Sequence, residues 1–103
     1  MQIQKLTAGK KRLLDFLGNP YRDAIIDMEH CVYLDLVGHD IEISGGRTAQ
    51  SAFDIFVWCK LGQPRIVETH WKVPSELPRV KELLDDIRSR YSSGCSDASK
   101  KRW

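Results

Sequence analysis

The stretch from residue 53 to residue 73 restricts the fold of this chain more than any other part of it. Phe53, Ile55, Phe56, Val57, Trp58 and Cys59 follow one another with a single polar interruption at Asp54. Such β-branched and aromatic types fit a pleated surface better than a helix. Leu61-Gly62-Gln63-Pro64 supplies a turn, and residues 65–73 bring Ile66, Val67, Trp71 and Val73 as a returning strand. With Lys60 opposite Arg65, the register sets Cys59 against Ile66, Trp58 against Val67, Val57 against Glu68 and Phe56 against Thr69. One face then carries Phe53, Ile55, Val57, Cys59 and Ile66; the other carries Phe56, Trp58, Val67, Trp71 and Val73. An antiparallel sheet with one wet side alternates apolar with polar. This hairpin is apolar on both sides, so its second face needs a partner subunit, a ligand or a sheet that curls upon itself.

A helix over residues 48–61 is the competing reading. It has Thr48 as cap, Ala49, Ala52, Phe53 and Phe56 on one side, and Gly62 and Pro64 as stops. It also sets Lys60 near the apolar side and Trp58 near the polar one. A short helical turn over 48–52 followed by a strand over 53–60 avoids that conflict and is preferred.

The remaining elements follow from periodicity. Leu77, Val80, Leu84, Ile87 and Tyr91 recur at helical spacing, Leu83 widens the stripe, and Pro78 sits in the first turn, where a missing N–H costs nothing. At the other end Thr7 caps a helix bearing Leu13, Leu14 and Leu17, which Gly18-Asn19-Pro20 ends. Between them, residues 24–28, 31–37 and 40–44 read as strands, with Glu29-His30 and Gly38-His39 as turns and Gly45-Gly46 as a stop. In 40–44 the alternation puts Ile41 and Ile43 on one face and Glu42 on the other. The fold class is therefore α+β: an N-terminal helix, an antiparallel β-meander of four to five strands, and a C-terminal amphipathic helix packed on the sheet.

A length of 103 residues fits one domain, read here as 1–91, followed by a disordered basic tail over 92–103. Net charge is only +2, yet both ends are basic, while residues 13–91 hold nine basic against thirteen acidic residues. That distribution lacks the strong basic stripe of a dedicated nucleic-acid binder. The absence of an apolar run of roughly 18 residues, and of a signal-like start, gives the expectation of a cytoplasmic chain without membrane contact. Cys31, Cys59 and Cys95 are odd in number and show no C-x-x-C spacing, which fits reduced thiols.

No phosphate-binding glycine loop, zinc-protease motif or nucleophile elbow is present. Cys59, Glu68, His70, His30 and Cys31 form the densest set of reactive types, but they lack metal-site spacing and read as packing and strand-flanking residues. Gly45, Gly46 and Arg47 offer an anion contact just before the 48–52 turn. Lys100, Lys101, Arg102 and Trp103 mix basic and aromatic character in the tail. The surface for a partner or ligand is expected around Phe56, Trp58, Val67 and Trp71, types common at interfaces. The function expected is a small non-enzymatic interaction module, homodimeric or bound to another protein, with no cofactor and no metal. Two alternatives are a nucleic-acid-binding or ribonuclease-like protein, and a ligand binder with a pocket between helix and sheet.

The tail generates a first prediction. Removing residues 92–103 should change thermal stability by less than about 1 kcal/mol, because the segment has no apolar periodicity to bury. Thermal melts of the full and shortened chains measure it, and a larger loss would show that Trp103 docks on the domain.

Overall fold

The computed structural model describes residues 6–26 and 28–91. The order of elements is α1 (Ala8–Leu17), β1 (Arg22–Ile26), β2 (Glu29–Asp35), β3 (His39–Gly45), β4 (Phe53–Cys59), β5 (Arg65–Val73) and α2 (Leu77–Tyr91). Among the described residues the five strands form one sheet in the order β1-β2-β3-β4-β5, every neighbouring pair antiparallel. The fold is α+β, with both helices contributing to one core. The tail with Lys100, Lys101, Arg102 and Trp103 lies outside the described residues.

Alternation selects which side of the sheet the helices cover. Val32 and Leu34 of β2, Ile41 and Ile43 of β3, and Phe53, Ile55 and Val57 of β4 are buried in one cluster with Leu13 of α1 and Leu77, Val80, Leu84 and Ile87 of α2. These β residues share one face because side chains two apart point the same way. The α2 residues are the stripe read from its helical spacing.

Several boundaries differ from the sequence reading. Residues 48–51 form a turn rather than a helical turn: the Ser51 N–H donates to Thr48 O at 3.2 Å, and the Ser51 and Thr48 hydroxyls lie 2.9 Å apart. These local side-chain bonds compete with a helix. Glu29 and His30 belong to β2 instead of a turn, because the chain reverses earlier, with Ile26 opposite Glu29 and Met28 at φ 69. The next turn spans residues 36–39, closed by the Leu36 N–H on His39 O at 2.8 Å. Gly38 takes φ 90 there, which a side chain disfavours, so His39 starts β3.

Two extra residues in β5 alter the face assignment of the second hairpin. Val57 pairs with Glu68, but Trp58 pairs with Ile66 and Cys59 with Arg65, so Val67 is left without a partner on β4. A second irregularity lies between Phe53↔Val73 and Ile55↔His70, where Lys72 adopts φ 56 and donates its N–H to Asp54 Oδ1 at 3.0 Å. Each bulge switches the side to which later residues point. Ile66 therefore joins the Trp58 face and Val73 the core face, the reverse of uninterrupted pairing.

The start of α1 is locked to the β3–β4 loop by two glycines. The Gly9 N–H donates to Gly46 O at 3.0 Å, and the Thr7 hydroxyl reaches the same oxygen at 2.6 Å. A Cβ on Gly9 would stand 2.4 Å from both Gly46 O and Thr48 O, a clash with backbone that no rotamer relieves. Lys10, 2% exposed, reaches Glu29 Oε2 at 3.0 Å from the next position. Helix propensity alone makes Gly9→Ala stabilising by about 1 kcal/mol. The close approach reverses the sign, and a net loss of about 1–3 kcal/mol is expected from chemical denaturation.

Candidate functional site

The face turned away from both helices is built by the opposite parity of each strand. It presents Arg22 and Ala24 of β1, Cys31, Tyr33 and Asp35 of β2, Asp40 and Glu42 of β3, and Phe56 and Trp58 of β4. Ile66, Thr69 and Trp71 complete it on β5. Trp71 is 67% exposed and Ile66 45% exposed, whereas Phe56 and Trp58 are half-buried. The Trp71 ring meets Phe56 edge to face, with centroids 5.3 Å apart and planes at 86°, the arrangement that aromatic quadrupoles favour. Of the four residues assigned to this surface from sequence, Phe56, Trp58 and Trp71 share the uncovered face. Val67 is the bulged residue beside them, 41% exposed.

Next to this aromatic strip lies a cleft of about 490 Å³, reaching from β1 to the β4–β5 loop. Its walls include Ala24, Ile25, Ile26, Trp58 and Pro64. Its floor is polar and internally paired. The Tyr33 hydroxyl donates to Asp40 Oδ2, Lys60 Nζ bridges Asp35 Oδ1 at 2.5 Å and Asp40 Oδ1 at 3.0 Å, and Trp58 Nε1 donates to Glu42 Oε1 at 2.9 Å. The Arg22 guanidinium lies 4.9 Å from the Tyr33 ring centroid, close enough for a cation–π contact. Burial, reinforced by the bond to Asp40, raises the Tyr33 hydroxyl well above the usual tyrosine range. The bond from Lys60 holds the Asp35 carboxyl below its ordinary value, and Asp35 in turn raises Lys60. The cleft opens on the uncovered face rather than between helix and sheet, where Leu13, Val80, Leu84 and Ile87 fill the space. Sequence reasoning placed Glu42 opposite the core but missed Tyr33, Asp40 and Lys60 as its neighbours. The one available signal was the two-residue spacing of Tyr33 with Asp35 and of Asp40 with Glu42.

The other sequence candidates are dispersed. His30 Nε2 lies 2.6 Å from Asp23 Oδ2 at the β1–β2 end, Cys31 Sγ approaches Glu42 Oε2 at 3.9 Å, and the Cys59 thiol points to Leu61 O at 3.9 Å. Only Glu68 and His70 come together. Among the described residues no group of three His, Cys, Asp or Glu side chains is placed to hold a metal ion. The Gly46 N–H donates to Ala52 O at 2.9 Å and its carbonyl receives α1, so the Gly46 backbone is engaged inside the fold. No family model, no curated protein and no solved structure matches the chain.

Glu68 ties β5 to the end of α2. It accepts from Arg90 Nη1 at 2.7 Å and Nη2 at 2.8 Å and from the Tyr91 hydroxyl at 2.8 Å, while His70 Nε2 lies 2.6 Å away. With its acceptor positions so filled, Glu68 holds the helix and has no lone pair left to act as a base. The Arg90 bonds are the main cause that lowers its pKa from 4.5 to about 2. A carboxylate with a depressed native pKa contributes stability above its unfolded value near 4.5, lost as pH falls toward 2. Wild type should therefore lose up to about 3 kcal/mol between pH 5 and pH 2 through this group, since one pKa unit is about 1.4 kcal/mol. Glu68→Gln should be less stable at pH 7 and show a flatter acid limb in urea melts across that range. Parallel limbs would mean that Glu68 carries no such coupling.

Proposed function

We propose that this protein is a small interaction module, not an enzyme, that pairs with a second copy through the sheet face that neither helix covers. The observation that carries the reading is Trp71, two-thirds exposed and braced by Phe56, on the same face as the exposed Ile66 opposite Trp58. Single exposed apolar residues are ordinary on a protein surface, but a contiguous aromatic patch marks a contact site. Aromatic anchors also dominate interface energetics. Several acid and histidine side chains are engaged by structural neighbours, Glu68 by Arg90 and Tyr91 above all, which supports a binding role over catalysis.

Small-ligand binding is a second reading, supported by the cleft beside Trp58, whose volume lies within the range of ligand pockets. Nucleic-acid binding receives no comparable support, because the same face carries Asp35, Asp40 and Glu42, which repel phosphates.

Sedimentation of the full chain should give a dimer whose mass does not depend on salt. Trp58→Glu should be a folded monomer, because Trp58 belongs to the uncovered face and not to the helix-side core. Ile66→Glu should behave alike without touching the Trp58–Glu42 bond. A monomeric wild type, or variants that sediment as wild type, would overturn the reading.

A further inference from the structure

The uncovered face carries a knob and a hollow at different places. Trp71 projects from β5 at one edge, and the cleft extends from β1 at the other. The lining of the cleft says what chemistry fits it. Arg22 and Lys60 stand against Asp40 and Glu42, so the lining has no net charge. Lys60 is held by Asp35 and Asp40, Glu42 by Trp58, and Arg22 lies over the Tyr33 ring, so an ionic ligand would compete with contacts already made. What remains is apolar wall, from Ala24, Ile26 and Pro64, above carboxylate oxygens. That combination suits a neutral aromatic ring with an N–H donor. The Trp58 indole already makes that bond to Glu42 at the cleft wall.

We propose that the cleft receives the Trp71 indole of a second copy, and that its own Trp71 enters the cleft of that copy. The inference rests on the homodimer reading and adds to it the contact that forms the dimer. A two-fold axis lying in the interface and bisecting the line from Trp71 to the cleft exchanges the two features. One surface therefore makes both joints at once, and the assembly closes at two subunits. The edge contact with Phe56 holds the indole in place before association, which reduces the ordering cost of binding. A cleft of about 490 Å³ is roomy for an indole, whose burial removes on the order of 150–250 Å² of surface from water.

The test is complementation between two defective forms of the full chain. Trp71→Ala removes the knob and keeps the cleft; Ala24→Trp fills the cleft and keeps the knob. Circular dichroism checks that each is folded, and Pro64→Trp, which fills the cleft from a loop, replaces Ala24→Trp should that variant unfold. In sedimentation each variant alone should dimerise roughly tenfold or more weakly than wild type. A 1:1 mixture should recover a heterodimer, because one intact indole then meets one intact cleft. Two weakened variants that fail to complement would overturn the proposal, since Trp71 and the cleft would then serve the interface without meeting. Variants that dimerise like wild type would overturn it too and leave the homodimer reading standing on another surface. A wild type that is monomeric at high concentration, with free indole bound in the cleft, would overturn both and establish the small-ligand reading.

Discussion

Burial of one sheet face under two helices is the constraint from which the other features of this domain follow. Apolar residues from β2, β3 and β4 meet Leu13 and the stripe Leu77, Val80, Leu84 and Ile87 in a single core. A sheet has two faces, and two helices gathered on one side leave the other to its own residues. Polar side chains on that other face therefore pair with one another within it. Tyr33 with Asp40, Lys60 with Asp35 and Asp40, and Trp58 with Glu42 are the pairs that result. The paired floor and the aromatic strip are thus consequences of the same asymmetric layering.

Both helices are also fastened to the sheet by polar joints at their ends. At α1 the joint is backbone to backbone, between Gly9 and Gly46, and works only because neither residue has a side chain in the way. At α2 it is a carboxylate on the neighbouring strand, Glu68, that takes a bidentate guanidinium and a phenol. Charge-assisted bidentate bonds fix orientation as well as distance. Apolar packing alone lets a helix slide along a sheet, and these joints set its position.

The bulges in β5 connect the fold to the proposed interface. Val67 and the Lys72 region each insert a residue opposite β4, and the strand bends where they do so. Between them Glu68 and His70 face the helices, while Thr69 and Trp71 face outward. β5 is an edge strand with backbone groups open on one side, and bulges are a common means of keeping such an edge from pairing with another chain. That favours association through the face over association through the edge. It also agrees with the outward position of Trp71.

The sequence by itself determined the two helices, the five strands, their antiparallel order and much of the core. Alternation in Ile41 and Ile43 and the helical spacing from Leu77 to Tyr91 each encode a local period, and the run from Phe53 to Cys59 favours a strand by its β-branched and aromatic types. It also flagged the second hairpin as apolar on both faces and placed Phe56, Trp58 and Trp71 on one of them. What only the tertiary structure decided depends on pairing between segments. Ile66 and Val73 exchanged faces because bulges are set by how β5 fits β4, and no periodicity within β5 announces them. Gly9, unfavourable as a helix residue taken alone, is required by a carbonyl that arrives from position 46. The cleft joins residues from β1, β2, β3, β4 and the loop after it, so its shape and its neutral, paired lining exist only once the strands stand side by side.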